Sequence, residues 1–296
     1  MANLAWVDSL QIIVSLVSVA LNGILLLCNY RRGNGRWATD GILISMNAAL
    51  DCVISMYMIG GTIYRLMYPS LVIDNSTWCK VSFIMERSLA ISCIHLVMLL
   101  ALARYIAIVN NRSTSSHVWI LSAILSTAGI FAFTIYRSYK IQLFLYPSGM
   151  YCRTKDHKNN FISVTYPLFY FFITILPLVI IPYCYIRISY HYARLIRNMH
   201  MSDMPITSYI RGKNKGIIVV AIAYWFAATP HMLVFYLHRT FQVNTDATVD
   251  GLCYCFKSSV LLINAIFPIL FHNEIQEKFH EFVTGKCHLL RIDSEA

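Results

Sequence analysis

The sequence predicts an all-α membrane protein: a bundle of seven transmembrane helices followed by a short C-terminal interfacial helix. Three observations carry this. Of 296 residues, 57% are hydrophobic and only 13% are charged, roughly half the charge of a soluble domain, and the mean hydropathy is +0.57. Seven runs stay apolar for the roughly 20 residues that a bilayer-crossing helix needs: 9–29, 40–64, 79–108, 117–136, 161–192, 213–238 and 251–272. The connections between them are short, and lipid offers the backbone no partner but itself, so the runs form helices of one bundle. Such a composition excludes a water-soluble globular enzyme, a disordered chain and a disulfide miniprotein.

The first run, Ser9 to Asn29, is too long for a signal core and ends in Tyr30-Arg31-Arg32, a stop-transfer pattern. It is therefore read as span one. Its flanking cations continue with Arg36, and the segment between spans five and six holds Arg194, Arg197, Arg211, Lys213 and Lys215. Positive loops stay on the cytoplasmic side, which places the N-terminus outside and the C-terminus inside the plasma membrane. The loop between spans four and five is also basic, with Arg137, Lys140, Arg153, Lys155 and Lys158. Lys and Arg outnumber acids 24 to 14. With no long basic polar stretch, that excess reflects membrane topology and not a nucleic-acid partner.

Three regions follow: residues 1–8 as a short extracellular N-terminus, 9–272 as the transmembrane domain, and 273–296 as a cytoplasmic helix and tail. The sequon Asn75-Ser76-Thr77 falls outside, so Asn75 is a glycosylation candidate, whereas Asn111-Arg112-Ser113 falls inside. Asn273 to Val283 interleaves Ile275, Phe279, Phe282 and Val283 with Glu and Lys, the pattern of a helix lying in the interface. Cys287 behind it is either palmitoylated or a free thiol.

Charges at membrane depth are expensive and mark function by default. Asp51 lies in span two, Glu86, Arg87 and Arg104 in span three, and Lys257 in span seven. Glu86 and Arg104 are 18 residues apart, five whole turns, so they share a face about 27 Å apart along the axis. One sits in the outer half, the other at the cytoplasmic mouth. The alternative for Arg104 is a cation snorkelling to the interface.

Leu102-Ala103-Arg104-Tyr105-Ile106 resembles the Asp/Glu-Arg-Tyr motif that closes the third helix of rhodopsin-like (class A) G-protein-coupled receptors. Asn22, Asp51, Cys79, Trp119, Pro177, Tyr185, Pro230 and Pro268 resemble further landmarks of that family in order and spacing, over residues 15 to 285. Departures accompany them. Ala103 replaces the acid before the arginine, Ile210 and Arg211 stand where span six would start with an acid, Phe267 and Phe271 flank Pro268, and Ala228 stands two before Pro230.

The resemblance implies a receptor, not an enzyme, that binds a small extracellular ligand in the outer half and activates a heterotrimeric G protein inside. It implies coupling through Arg104, Tyr105 and Tyr185, and a Cys79–Cys152 disulfide, with two free thiols as the alternative. It implies a sodium ion at Asp51 with Asn22 and Asn264, against a neutral, hydrogen-bonded core acid. With Ala103 in place Arg104 lacks its usual restraining carboxylate, so signalling without agonist is expected, and Ala103→Asp should reduce it.

Glu86, Arg87, Phe169, His231, Met232 and Lys257 are the ligand-pocket candidates; the basic outer loop favours an anionic group at the entrance. Glu86 and Lys257 are otherwise an ion pair pinning helix to helix. Phe-Lys-Ser-Ser around Lys257 also resembles opsin sequence, which implies retinal on Lys257 with Glu86 as counter-ion. Opsins hold that lysine seven residues before the proline, and here the gap is eleven, with Leu261 at the opsin position. From other classes, a transporter wants broken helices and paired midplane polar groups. A membrane enzyme wants a ligand or nucleophile cluster, and His191, His200 and His231 have no such spacing.

Overall fold

A computed structural model describes residues 5–30, 39–68, 76–112, 114–140, 143–145, 152–154, 161–198, 219, 222–227, 229–230, 233–234, 246–271 and 273–284. The apolar runs become helices: α1 (Ala5–Tyr30), α2 (Thr39–Met67), α3 (Ser76–Ile108), α4 (Ser116–Lys140) and α5 (Phe161–Asn198). The helical residues described between 219 and 234 belong to α6, and α7 (Ala247–Phe271) and α8 (Asn273–Val283) complete the chain. Among the described residues six helices are long and apolar enough to span a bilayer. Of the expected span 213–238 only the residues named for α6 are described. The fold is an all-α, multi-pass membrane bundle.

Between α4 and α5 a two-stranded antiparallel hairpin, β1 (Leu143–Leu145) and β2 (Cys152–Thr154), pairs Leu145 with Cys152. A disulfide joins Cys152 to Cys79 in the first turn of α3, with 5.3 Å between Cα atoms, and so ties the hairpin to the end of that helix.

The inward face of α3 is the axis of the molecule, contacting α2, α4, α5 and the hairpin. Its termination is local. Asn111 takes a left-handed backbone, φ 50°, which a short polar side chain tolerates, and the Arg112 amide donates back to Ile106 O at 3.2 Å, satisfying a carbonyl of the last turn. Thus Arg104 stands within the final turns of α3. Below it, Ile275 of α8 is 1% exposed and packs with Leu25, Leu43 and Ile269, while Gln276, Glu277 and Glu281 face outward. That amphipathic division is the one the sequence pattern predicts.

Candidate functional site

Polar side chains occupy three levels inside an otherwise apolar bundle. At the outer level, Lys257 Nζ of α7 donates to Glu86 Oε1 of α3 at 2.5 Å. Glu86 is 2% exposed at its side chain and Lys257 17%. The Lys257 ammonium also lies 5.2 Å from the centre of the Tyr254 ring. Arg87, one residue on, is buried as well. A second buried pair, Arg65 at the end of α2 with Asp8 at the start of α1, sits where each charge favours its own helix dipole. Beside it, Ser258 donates to Gln11 Oε1 at 3.0 Å. The Asp8–Arg65 pair has no counterpart among the sequence-derived candidates.

At the middle level, Asp51 is fully buried. Its Oδ2 accepts from Asn47 Nδ2 at 2.9 Å and from Asn264 Nδ2 at 3.1 Å. Asn22 donates to Ser18 O at 3.0 Å and to Leu261 O at 3.3 Å, bonding α1 to α7. Ser55 donates to Ser18 Oγ at 2.8 Å. Among the described residues three buried oxygens around Asp51, Asn22 Oδ1, Asn47 Oδ1 and Ser92 Oγ, have no hydrogen-bond partner, and the Cys93 thiol also hydrogen-bonds the Asp51 carboxylate. Burying an acceptor without a donor costs free energy, and oxygen-rich sites of this kind suit a hard cation. The Asn47–Asp51 spacing of four residues was visible in the sequence, and Asn47 joins Asn22, Asp51 and Asn264 in this cluster.

At the inner level, Arg104 points into the bundle and does not snorkel. Its Nε donates to Asp40 Oδ2 of α2 at 2.8 Å, its guanidinium lies 5.3 Å from the centre of the Phe267 ring, and the Tyr185 hydroxyl hydrogen-bonds it. Arg104 thus lacks the usual carboxylate from the residue before it, but Asp40, in the first turn of α2, supplies one from another helix. The ends of α2 and α3 meet at equal depth because the two helices are antiparallel neighbours. Ala103 instead faces apolar side chains, with Leu43, Leu99 and Leu100 in the same cluster. Tyr185 meets the Phe267 ring edge-on at 5.4 Å. Tyr105 packs against the cluster that holds Tyr185 and Phe267, with its ring centre 6.2 Å from that of Tyr183.

A cavity lies between the middle and inner levels, lined by Asn47, Leu100, Ile181, Tyr185, Tyr224 and Phe267 among others. On its α6 wall the ring of Tyr224 is buried, and Trp225 holds α6 to α5 through Nε1 to Leu178 O at 3.0 Å. His231, Met232, Asn75 and Cys287 lie outside the described residues, as does the side chain of Phe169. Among the described residues no cluster of His, Cys, Asp and Glu is placed to bind a transition metal.

No family model matches the chain, and no curated protein matches it. Among solved structures it is similar to squid rhodopsin at 13% identity and a TM-score of 0.69, over 97% of this chain and 87% of that one. The fold is rhodopsin-like.

Proposed function

We propose that the chain is a G-protein-coupled receptor that binds a small ligand in the outer half of the bundle and activates a heterotrimeric G protein at its cytoplasmic end. One observation carries the reading. A single continuous helix, α3, holds a carboxylate at its outer end and a guanidinium at its inner end, both turned into the bundle and each paired with another helix. A ligand that competes for Glu86 or Lys257 loosens α3 from α7. The packing of α5, α6 and α7 around Tyr185, Tyr224 and Phe267 carries the rearrangement inward, and α6 swings out. Arg104, Tyr105 and Tyr185 then border a groove for a helix of the G protein, a helix-in-groove recognition. In this reading the N-terminus, Asn75 and the hairpin are outside, and α8 and Cys287 are cytoplasmic.

Sodium fits the middle level. Asp51 and Asn22 would hold the ion, with the Asn47 carbonyl completing the oxygen set and Asn264 orienting the carboxylate. Bound there, the cation supplies the positive charge that the Asp51 carboxylate lacks.

The experiment is guanine-nucleotide exchange on a set of purified G proteins by the chain in lipid nanodiscs, in light, in darkness and against a small-molecule library. Exchange that Arg104→Ala abolishes supports the reading. No exchange with any G protein under any of these conditions contradicts it, and favours a transporter or a membrane enzyme.

The contact between Lys257 and Glu86 favours a second reading, an opsin-like photoreceptor. An amine held against a carboxylate fits a retinal linkage with its counter-ion, and retinal supplies isomerisation by light as the trigger. Leu261, at the depth opsins use for their lysine, is instead packed among Ile54, Met58 and Leu89. Incubation with 11-cis-retinal decides: a visible absorbance band lost in Lys257→Met supports this reading, and no band ends it.

A further inference from the structure

The inner ion pair departs from what the sequence around Arg104 implies. The residue before Arg104 carries no charge: Ala103 is 6% exposed and sits in an apolar cluster. The guanidinium nevertheless has a carboxylate, and it comes from a different helix, Asp40 Oδ2 at 2.8 Å from Arg104 Nε. Asp40 lies 64 residues away in sequence. Its place in the first turn of α2 is one where the helix dipole favours an anion, so the carboxylate is electrostatically suited to that position independently of the arginine. Among the described residues the other contacts of Arg104 given by the structure, Tyr185 on α5 and Phe267 on α7, are uncharged.

We propose that Asp40 is the positioning residue for Arg104: the charge that keeps the guanidinium folded into the bundle has been transferred from helix three to the base of helix two. The proposal rests on the receptor reading above. Its physical content is the direction of the restraint. Asp40 ties α3 to α2, a helix it already packs against, so the pair can open without pulling on α6. Release requires only that Arg104 turn from Asp40 toward an incoming partner. The carboxylate is 30% exposed, so water can take over its hydrogen bonds once the arginine leaves. A buried acid at position 103 would offer no such exchange.

The test is basal nucleotide exchange, without added ligand, by wild type, Asp40→Asn, Asp40→Glu and Arg104→Ala in nanodiscs, expressed per folded molecule and accompanied by thermal unfolding. The proposal expects Asp40→Asn to exchange several-fold faster than wild type, Asp40→Glu to stay near wild type, and Arg104→Ala to be inactive. Asp40→Asn at the wild-type rate while Arg104→Ala loses activity overturns the assignment of Asp40 and leaves the receptor reading standing. Both Asp40 variants unfolding earlier with unchanged rate per folded molecule also overturns it, since that is a structural role alone. Silence of wild type and every variant, with every G protein, in light and in darkness, and with the library, removes the receptor reading and this proposal with it.

Discussion

The two ends of α3 use the same chemistry in different surroundings. Toward one end Glu86 meets Lys257 with side chains 2% and 17% exposed; toward the other Arg104 meets Asp40 with side chains 13% and 30% exposed. Separating two buried ions strands each in a medium of low dielectric, whereas a partly wetted pair separates onto water. The outer pair is therefore a strut, and in the proposed receptor reading it yields to a ligand that brings replacement charge. The inner pair is a latch that opens at small cost. Position on one helix makes them parts of one device, and burial assigns them different jobs.

The largest effect that could break this comparison is at the outer pair. Glu86→Gln or Lys257→Met alone should cost about 3–5 kcal/mol of stability, because the surviving charge is left buried. The double variant should recover most of that loss. Thermal unfolding of the three proteins measures it, and additive losses would show that the two groups do not depend on each other. The next effect is at the Cys79–Cys152 bridge, whose removal by Cys152→Ser should cost about 2–4 kcal/mol. Mass spectrometry after alkylation without reductant should leave both cysteines unlabelled.

Smaller effects separate the neighbours of Arg104. Ala103→Asp puts a carboxylate among Leu43, Leu99 and Leu100, and should cost about 1–3 kcal/mol as a poorly satisfied buried group. It should do so without the added restraint that the sequence alone leads one to expect. Asp40→Asn should change stability least, by about 1 kcal/mol or less, while changing basal exchange most. Unfolding temperatures and exchange rates of this pair should therefore rank in opposite order. If they rank together, the inner pair is a strut as well.

What was legible in the sequence follows the range of each interaction. Helix existence depends on runs of neighbours, and the runs 40–64 and 161–192 appear as Thr39–Met67 and Phe161–Asn198. The helix outlasts the fifth run because Arg194 and Arg197 end the apolar stretch but favour the helix, which continues to Asn198. The shared inward face of Glu86 and Arg104 was also legible, since 3.6 residues per turn is a local property. The identity of their partners was only half so. Lys257 was foreseen as a buried charge needing an opposite one. Asp40 was not, because it lies at the edge of span two, where an acid usually meets water. Depth alone could have found it: residues that begin α2 and end α3 lie at the same level. The Asp8–Arg65 pair, 57 residues apart, escaped for the same reason. The unpartnered oxygens around Asp51 depend on the rotation of three helices about their axes, which no single run of sequence encodes.

The central claim is that a change at the outer end of α3 is felt at the inner end, about 27 Å away along its axis. The most direct measurement is basal nucleotide exchange by Glu86→Gln, per folded molecule, beside wild type on the same G protein. A rate shifted several-fold by this single outer substitution, and abolished when Arg104→Ala is added, is the predicted result. A Glu86→Gln rate equal to wild type, on a G protein that wild type activates through Arg104, would contradict the account.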